Sequence, residues 1–183
     1  MDCRPLAFRQ VPHQPKLFLE YLDRFEKVKS FYFHLPVLTA VTRVARKLDY
    51  PGERRAEVST ILRKQNMALG AGADTLSNLD RLEKGAVAVV SGQQVGLFSG
   101  PAYSVYKALT AIQIAEELTL SGIPAVPVFW MATEDHDLDE VRHTTWFDKG
   151  KLVRFELPAL PESRRPVGEI PLGAQIETCS PNT

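Results

Sequence analysis

The stretch "VVSGQQVGLFSGPAYSVYKA", residues 89–108, decides the fold class. It ends a β-branched run in Ser91-Gly92-Gln93-Gln94, adds Gly96 and Gly100, and opens a helix at Pro101. The run "AVAVVS" (86–91) is short, continuous and rich in valine, the pattern of a strand covered on both faces in a parallel sheet. Beyond the glycine-bearing loop, Val105, Ala108, Leu109, Ile112, Ala115 and Leu118 recur at 3/4 spacing and predict a helix over 101–120 with one buried side. "SGIP" (121–124) closes that helix, with Gly122 as C-cap and Pro124 beyond it. "AVPVFWMA" (125–132) is a second apolar run, so strand, helix and strand make a βαβ unit.

A parallel crossover of this kind brings the C-terminal ends of both strands to the same edge of the sheet. The loops "SGQQVGLFSG" and "TEDHD" therefore open onto one crevice, the place where ligands bind in open α/β sheets. Working outward, residues 15–29, 36–48 and 53–69 and the segment "TLSNLDRLEK" carry apolar residues at helical spacing between Pro and Gly punctuation. Downstream, "RHTTWFDKGKLVRFELP" reads as a hairpin turning at Asp148–Gly150, and a proline-rich tail from Pro158 to Thr183 has weak periodicity. The expected class is α/β: a helical region (1–83), a Rossmann-like βαβ core with an incomplete parallel sheet and the site loops (84–143), then a hairpin and extension (144–183) that begin a further part.

Composition sets the outer bounds. A chain of 183 residues with 44% hydrophobic and 24% charged residues can bury one real core. Basic and acidic side chains balance at 22 each, so no overall field draws the molecule to nucleic acid or an anionic membrane. A basic run (Arg43, Arg46, Lys47, Arg54, Arg55, Arg63, Lys64) reads as a solvated face or, alternatively, an RNA-contacting stripe. Cys3 and Cys179 have no CxxC or Cys/His spacing around them, no apolar run reaches the ~18 residues of a membrane span, and "MDCRPLAFRQ" lacks a basic start followed by an apolar h-region. The expectation is a reduced, cytoplasmic protein.

The chemistry-bearing residues cluster in the two loops. Gly92, Gly96 and Gly100 let backbone N–H groups approach an anion at the positive end of the helix that follows. The pattern is neither G-x-G-x-x-G nor the Walker P-loop, and the glycines could equally serve only a tight turn. Gln93 and Gln94 can orient a ligand but cannot move protons, while Tyr103 and Lys107 project toward the helix start, where Lys107 can neutralise a phosphate or oxyanion. In "TEDHDLDE", Glu134, Asp135, His136 and Asp137 suit general-base chemistry with His136 as base. Two other readings stay open: His136, Asp139 and His143 as metal ligands, or Asp137 and Glu140 as a structural capping box. His13 and His34 read as packing or surface residues.

The long motifs "VAVVSGQQVGLFSGPAYSVYKALTAIQIAEEL" and "VPVFWMATEDHDLDEV", with "ILRKQNMALGA" upstream, resemble the bacillithiol biosynthesis cysteine-adding enzymes, a family of bacterial cysteine ligases. The resemblance implies a Rossmann-like core, a C-terminal coiled coil that pairs two subunits, and amide-bond formation between L-cysteine and glucosaminyl malate. It carries the family's motif onto Gly92, Gln93, Gln94, Gly96, Gly100, Pro101, Tyr103, Lys107, Glu134, Asp135, His136 and Asp137. Members of the family are much longer, so the chain is expected to be its front part. Amide formation requires an activated carboxylate, with ATP or another activating nucleotide as one source, and no motif names that source. The competing functions are a metal-dependent hydrolase built on the EDHD cluster and a non-catalytic module binding an anion or RNA.

Overall fold

The computed structural model describes residues 4–157, 165–173 and 176; Cys3, Cys179 and most of the proline-rich tail lie outside the described residues. The chain divides into two compact units, Met1–Tyr50 and Pro51–Thr183. In the first, α1 (Lys16–Asp23) stops at Arg24, whose φ of −144° and ψ of 55° leave the helical region. The helix expected over 15–29 is thus shorter and passes into a 3-10 turn at Phe25–Lys27. The break lets the chain turn back so that Tyr32 packs on Tyr21 at 4.4 Å, a contact between residues that a continuous helix would hold about three turns apart. α2 (Leu38–Lys47) follows, burying Ala40 and Ala45.

The second unit begins with α3 (Gly52–Ala68) and α4 (Ala73–Glu83), tied by an Arg63–Asp80 ion pair. α4 ends at Gly85, whose φ of +112° permits a Schellman closure: Ala86 N–H donates to Arg81 O (3.0 Å) and Gly85 N–H to Leu82 O (3.2 Å). That turn delivers the chain straight into β1 (Val87–Gln94). α5 (Ala102–Leu120) crosses over, with Pro101 as its N-cap, and β2 (Ala125–Ala132) returns parallel to β1, in register from Val87 opposite Ala125 to Gln94 opposite Ala132. Gly92, Gln93 and Gln94, expected in the loop, are therefore strand residues. The ladder to Trp130, Met131 and Ala132 overrides the weak strand preference of glycine and glutamine.

Leu79, Leu82, Ala86 and Val126 form the core, with Leu62 and Leu76 packed against it, so α3 and α4 cover the start of the sheet. Ala88 and Val90, on one face of β1, are exposed, Val90 at 61%, so the strand expected to be covered on both faces is covered on one among the described residues. The buried side of α5 matches expectation in part. Ala115 and Leu118 face inward as expected, together with Ser104 and Ala111, whereas Val105, Leu109 and Ile112 are exposed. Small residues let this helix lie close on the sheet, and its apolar residues extend around most of its circumference.

Two arginines hold the other end of the sheet. Arg55 donates through Nη1 to Leu82 O (3.0 Å) and Ala86 O (2.8 Å), and Arg81 donates through Nη2 to Ala125 O (2.9 Å). The amino ends of both strands are fastened this way, and the carboxyl ends run on into the loops. After β2 come the single turn α6 (Leu138–Val141) and an antiparallel hairpin, β3 (His143–Asp148) and β4 (Lys151–Glu156), whose turn residues Lys149 and Gly150 both have positive φ.

Candidate active site

The carboxyl ends of β1 and β2 lie side by side, and the glycine spacing between β1 and α5 has a steric cause. A Cβ on Gly92 would sit 2.7 Å from Trp130 O, and one on Gly96 would sit 2.8 Å from Gly100 Cα. Gly100 itself adopts φ 70° and ψ −157°, a region open essentially to glycine alone. Sequence reasoning missed that Phe98 (φ 49°) and Ser99 (φ 73°) are also left-handed. Such conformations persist where the surroundings over-determine them. The hairpin does so here: the Phe98 ring meets Trp146 at 6.3 Å and Phe155 at 5.9 Å, both edge-on.

At the start of α5, Lys107 Nζ donates to Gln93 Oε1 (2.7 Å) and Gly92 O (3.3 Å), and lies 5.1 Å from the centre of the Tyr103 ring. These acceptors are all neutral, so the ammonium keeps its charge for an anion that reaches this edge. A groove of ≈ 340 Å³, lined in part by Val89, Ser91, Tyr103, Tyr106 and Lys107, runs beside it. One turn in, Ser104 is 6% exposed and its Oγ has no partner among the described residues. A serine inside an apolar helical pattern gives little sequence signal for such a role.

The second loop is organised by Asp135. Its Oδ1 accepts the Asp137 N–H (3.0 Å), and its carboxyl is held below the ordinary 3.8 first by that bond and then by the Gln94 side-chain amide. His136 Nδ1 lies 4.0 Å from Asp135 Oδ1, with the ring largely in solvent. Asp137 caps α6 by accepting the Glu140 N–H (3.1 Å), but the reciprocal half of the capping box is absent because the Asp137 N–H is spent on Asp135. Glu134 is exposed. A segment of the tail also closes on this loop: Val167 N–H donates to Asp135 O (2.7 Å) and Gly168 N–H to Thr133 O (3.1 Å). A Cβ on Gly168 would lie 2.9 Å from Thr133 Cβ, a contact that periodicity does not reveal.

The structure thus joins Gly92, Gln93, Tyr103 and Lys107 on one side of the edge and Gln94, Asp135 and His136 on the other. The metal-ligand set does not form: among the described residues no three His, Cys, Asp or Glu side chains converge, Asp139 pairs with Arg142 (2.7 Å) and His143 Nδ1 faces Asp139 O (3.2 Å). The basic run is divided between the two units, and Arg55 and Arg63 are engaged in structural contacts.

Residues 1–181 match the family model described as "Bacillithiol biosynthesis BshC, N-terminal Rossmann-like domain". The chain belongs to this family. Curated relatives named "Putative cysteine ligase BshC" agree: the protein of Koribacter versatilis is 42% identical across 96% of this chain, and that of Solibacter usitatus 42% identical across 95%. The relative from Staphylococcus haemolyticus is 37% identical across 89%. These alignments cover 33%, 32% and 30% of the relatives, so the chain spans about a third of their length. The βαβ core is accordingly the Rossmann-like part of a larger family architecture, and no described helix is long and apolar enough to cross a membrane.

Proposed function

We propose that this domain forms the substrate-binding edge of a cytoplasmic cysteine ligase of bacillithiol biosynthesis, which joins L-cysteine to glucosaminyl malate through an amide bond. An anion-seeking group (Lys107, Gln93, the α5 N-terminus) on one side of the sheet edge and a proton-handling group (His136 beside Asp135) on the other support this most directly. Amide formation demands both. An anion site holds the carboxylate-bearing or phosphate-bearing partner; as the amine nitrogen bonds to the activated carbonyl carbon, the bond from that carbon to its activating group breaks, the group leaves with the electron pair, and a base takes the amine proton. His136 is the base in this reading because its ring is solvent-facing and Asp137 is occupied as a helix cap. Pairing of two complete chains through a coiled coil outside these residues belongs to the same proposal.

The test is steady-state ligation by the complete protein carrying His136→Ala or Lys107→Met. Loss of a general base is expected to lower kcat by about 10²–10⁴-fold with little change in KM. Loss of the Lys107 charge is expected to raise KM for one substrate. Unchanged ligation in His136→Ala overturns the base assignment.

A further inference from the structure

Building on the ligase reading above, we propose that Gln94 and Asp135 form the notch that holds a substrate's primary amine, Gln94 Oε1 accepting one N–H and Asp135 supplying the opposing charge. Gln94 Oε1 is shut off from water and has no donor among the described residues. Buried acceptors in folded proteins are rarely left so, and each one calls for an explanation. The Asp135 carboxyl is held below its ordinary range first by the Asp137 N–H and then by this same amide. An ionised carboxylate only accepts, so the amide nitrogen must point toward it; the flipped arrangement would set two oxygens against each other. With its nitrogen toward Asp135, Gln94 leaves its oxygen for a donor that the described residues do not supply.

What surrounds that oxygen selects the donor's class. Asp135 spends Oδ1 on the Asp137 N–H, and its side chain is 38% exposed at the same edge. One neutral and one anionic acceptor together suit an amine, which carries two or three N–H bonds, and they repel a carboxylate or phosphate. The neighbouring glutamine shows the contrast. Gln93 Oε1 is already occupied by Lys107, on the side of the edge suited to anions. The adjacent pair thus divides the substrate: anionic groups at Gln93–Lys107, an amine at Gln94–Asp135. Both the α-amine of cysteine and the amine of the amino sugar have this chemistry, and whichever one binds must displace what covers Oε1.

Calorimetric affinities of the complete protein for L-cysteine and glucosaminyl malate, and for their counterparts without the amine (3-mercaptopropionate and glucosyl malate), test this. For one of the two substrates, removing the amine is expected to weaken wild-type binding by about tenfold or more. That substrate is the one in the notch. Gln94→Leu should shrink the preference to below about threefold, whereas the Gln94→Glu/Asp135→Asn exchange, which keeps an acceptor at 94 and a donor at 135, should retain most of it. An undiminished preference in Gln94→Leu, or its loss in a folded exchange variant, overturns the notch while leaving the ligase reading intact. Wild-type protein that binds neither substrate overturns the ligase reading, and the notch with it.

Discussion

Substituting Gly92 by alanine is the sharpest perturbation of this edge. The added Cβ would lie 2.7 Å from Trp130 O and 3.0 Å from Trp130 Cβ, whereas relaxed carbon contacts fall at about 3.5–4.0 Å. Both neighbours belong to the rigid part of β2, so no flexible side-chain tip can yield. The strands must part by several tenths of an ångström, at the residue just before Gln93 and Gln94. Overpacking of this kind costs about 1–3 kcal/mol. Because catalysis is sensitive to placement at the 1 Å level, activity should fall further than stability, by up to about 10²-fold. Urea unfolding followed by the fluorescence of Trp130 and Trp146 measures the first effect, and kinetics of the proposed ligation by the complete protein the second. Gly52→Ala is the control: nothing lies within 4 Å of its added Cβ, and alanine in the first turn of α3 should be neutral or stabilising by up to about 1 kcal/mol. A Gly92→Ala protein indistinguishable from Gly52→Ala in both assays would refute the close-approach reasoning.

Two further outcomes are expected. Ser99 is exposed at φ 73°, so Ser99→Gly should leave urea stability unchanged or raise it by up to about 1 kcal/mol, while the β-branched Ser99→Val should lower it by about 1–2 kcal/mol; equal midpoints for the two variants contradict the left-handed assignment. The folded-state pKa of Asp135 is depressed, chiefly by the Asp137 N–H, so its ordering of the loop is fully present above 3.8 and is lost as pH falls through the lower folded value. The Asp135 side-chain carboxyl carbon resonance should therefore titrate with a midpoint below 3.8; a midpoint at or above 3.8 contradicts the hydrogen bond.

The βαβ core was legible because its signals are physical and local. Valine-rich runs at 86–91 and 125–132 flank a helix closed by Gly122, whose φ of +78° makes the Schellman turn in which Ile123 N–H meets Leu118 O at 2.9 Å. The hairpin turn at Lys149–Gly150 was equally readable. Features that depend on non-local pairing were not. The ladder to β2 draws Gly92–Gln94 into a strand that their own preferences disfavour. Helix α1 ends early although the 3/4 spacing continues to Val28, and the turn that follows brings Tyr32 onto Tyr21, a contact from outside the helical period. The inward face of α5 was legible at Ala115 and Leu118 but not at Val105, Leu109 and Ile112, because apolar residues surround that helix and closeness to the sheet favours its small ones. At the site, residue chemistry singled out Lys107, His136 and Asp135. The left-handed Phe98, the buried Ser104 hydroxyl and the Val167–Gly168 closure depend on partners far away in sequence.

The most direct test of the sheet edge as the substrate site is an amide resonance titration of the isotopically labelled protein with L-cysteine and then glucosaminyl malate. Saturable shifts are expected at Gly92, Gly96 and Gly100 and at the side-chain amides of Gln93 and Gln94, with the amino ends of β1 and β2 unmoved. Shifts confined to residues away from this edge, or none with either compound, would contradict the assignment.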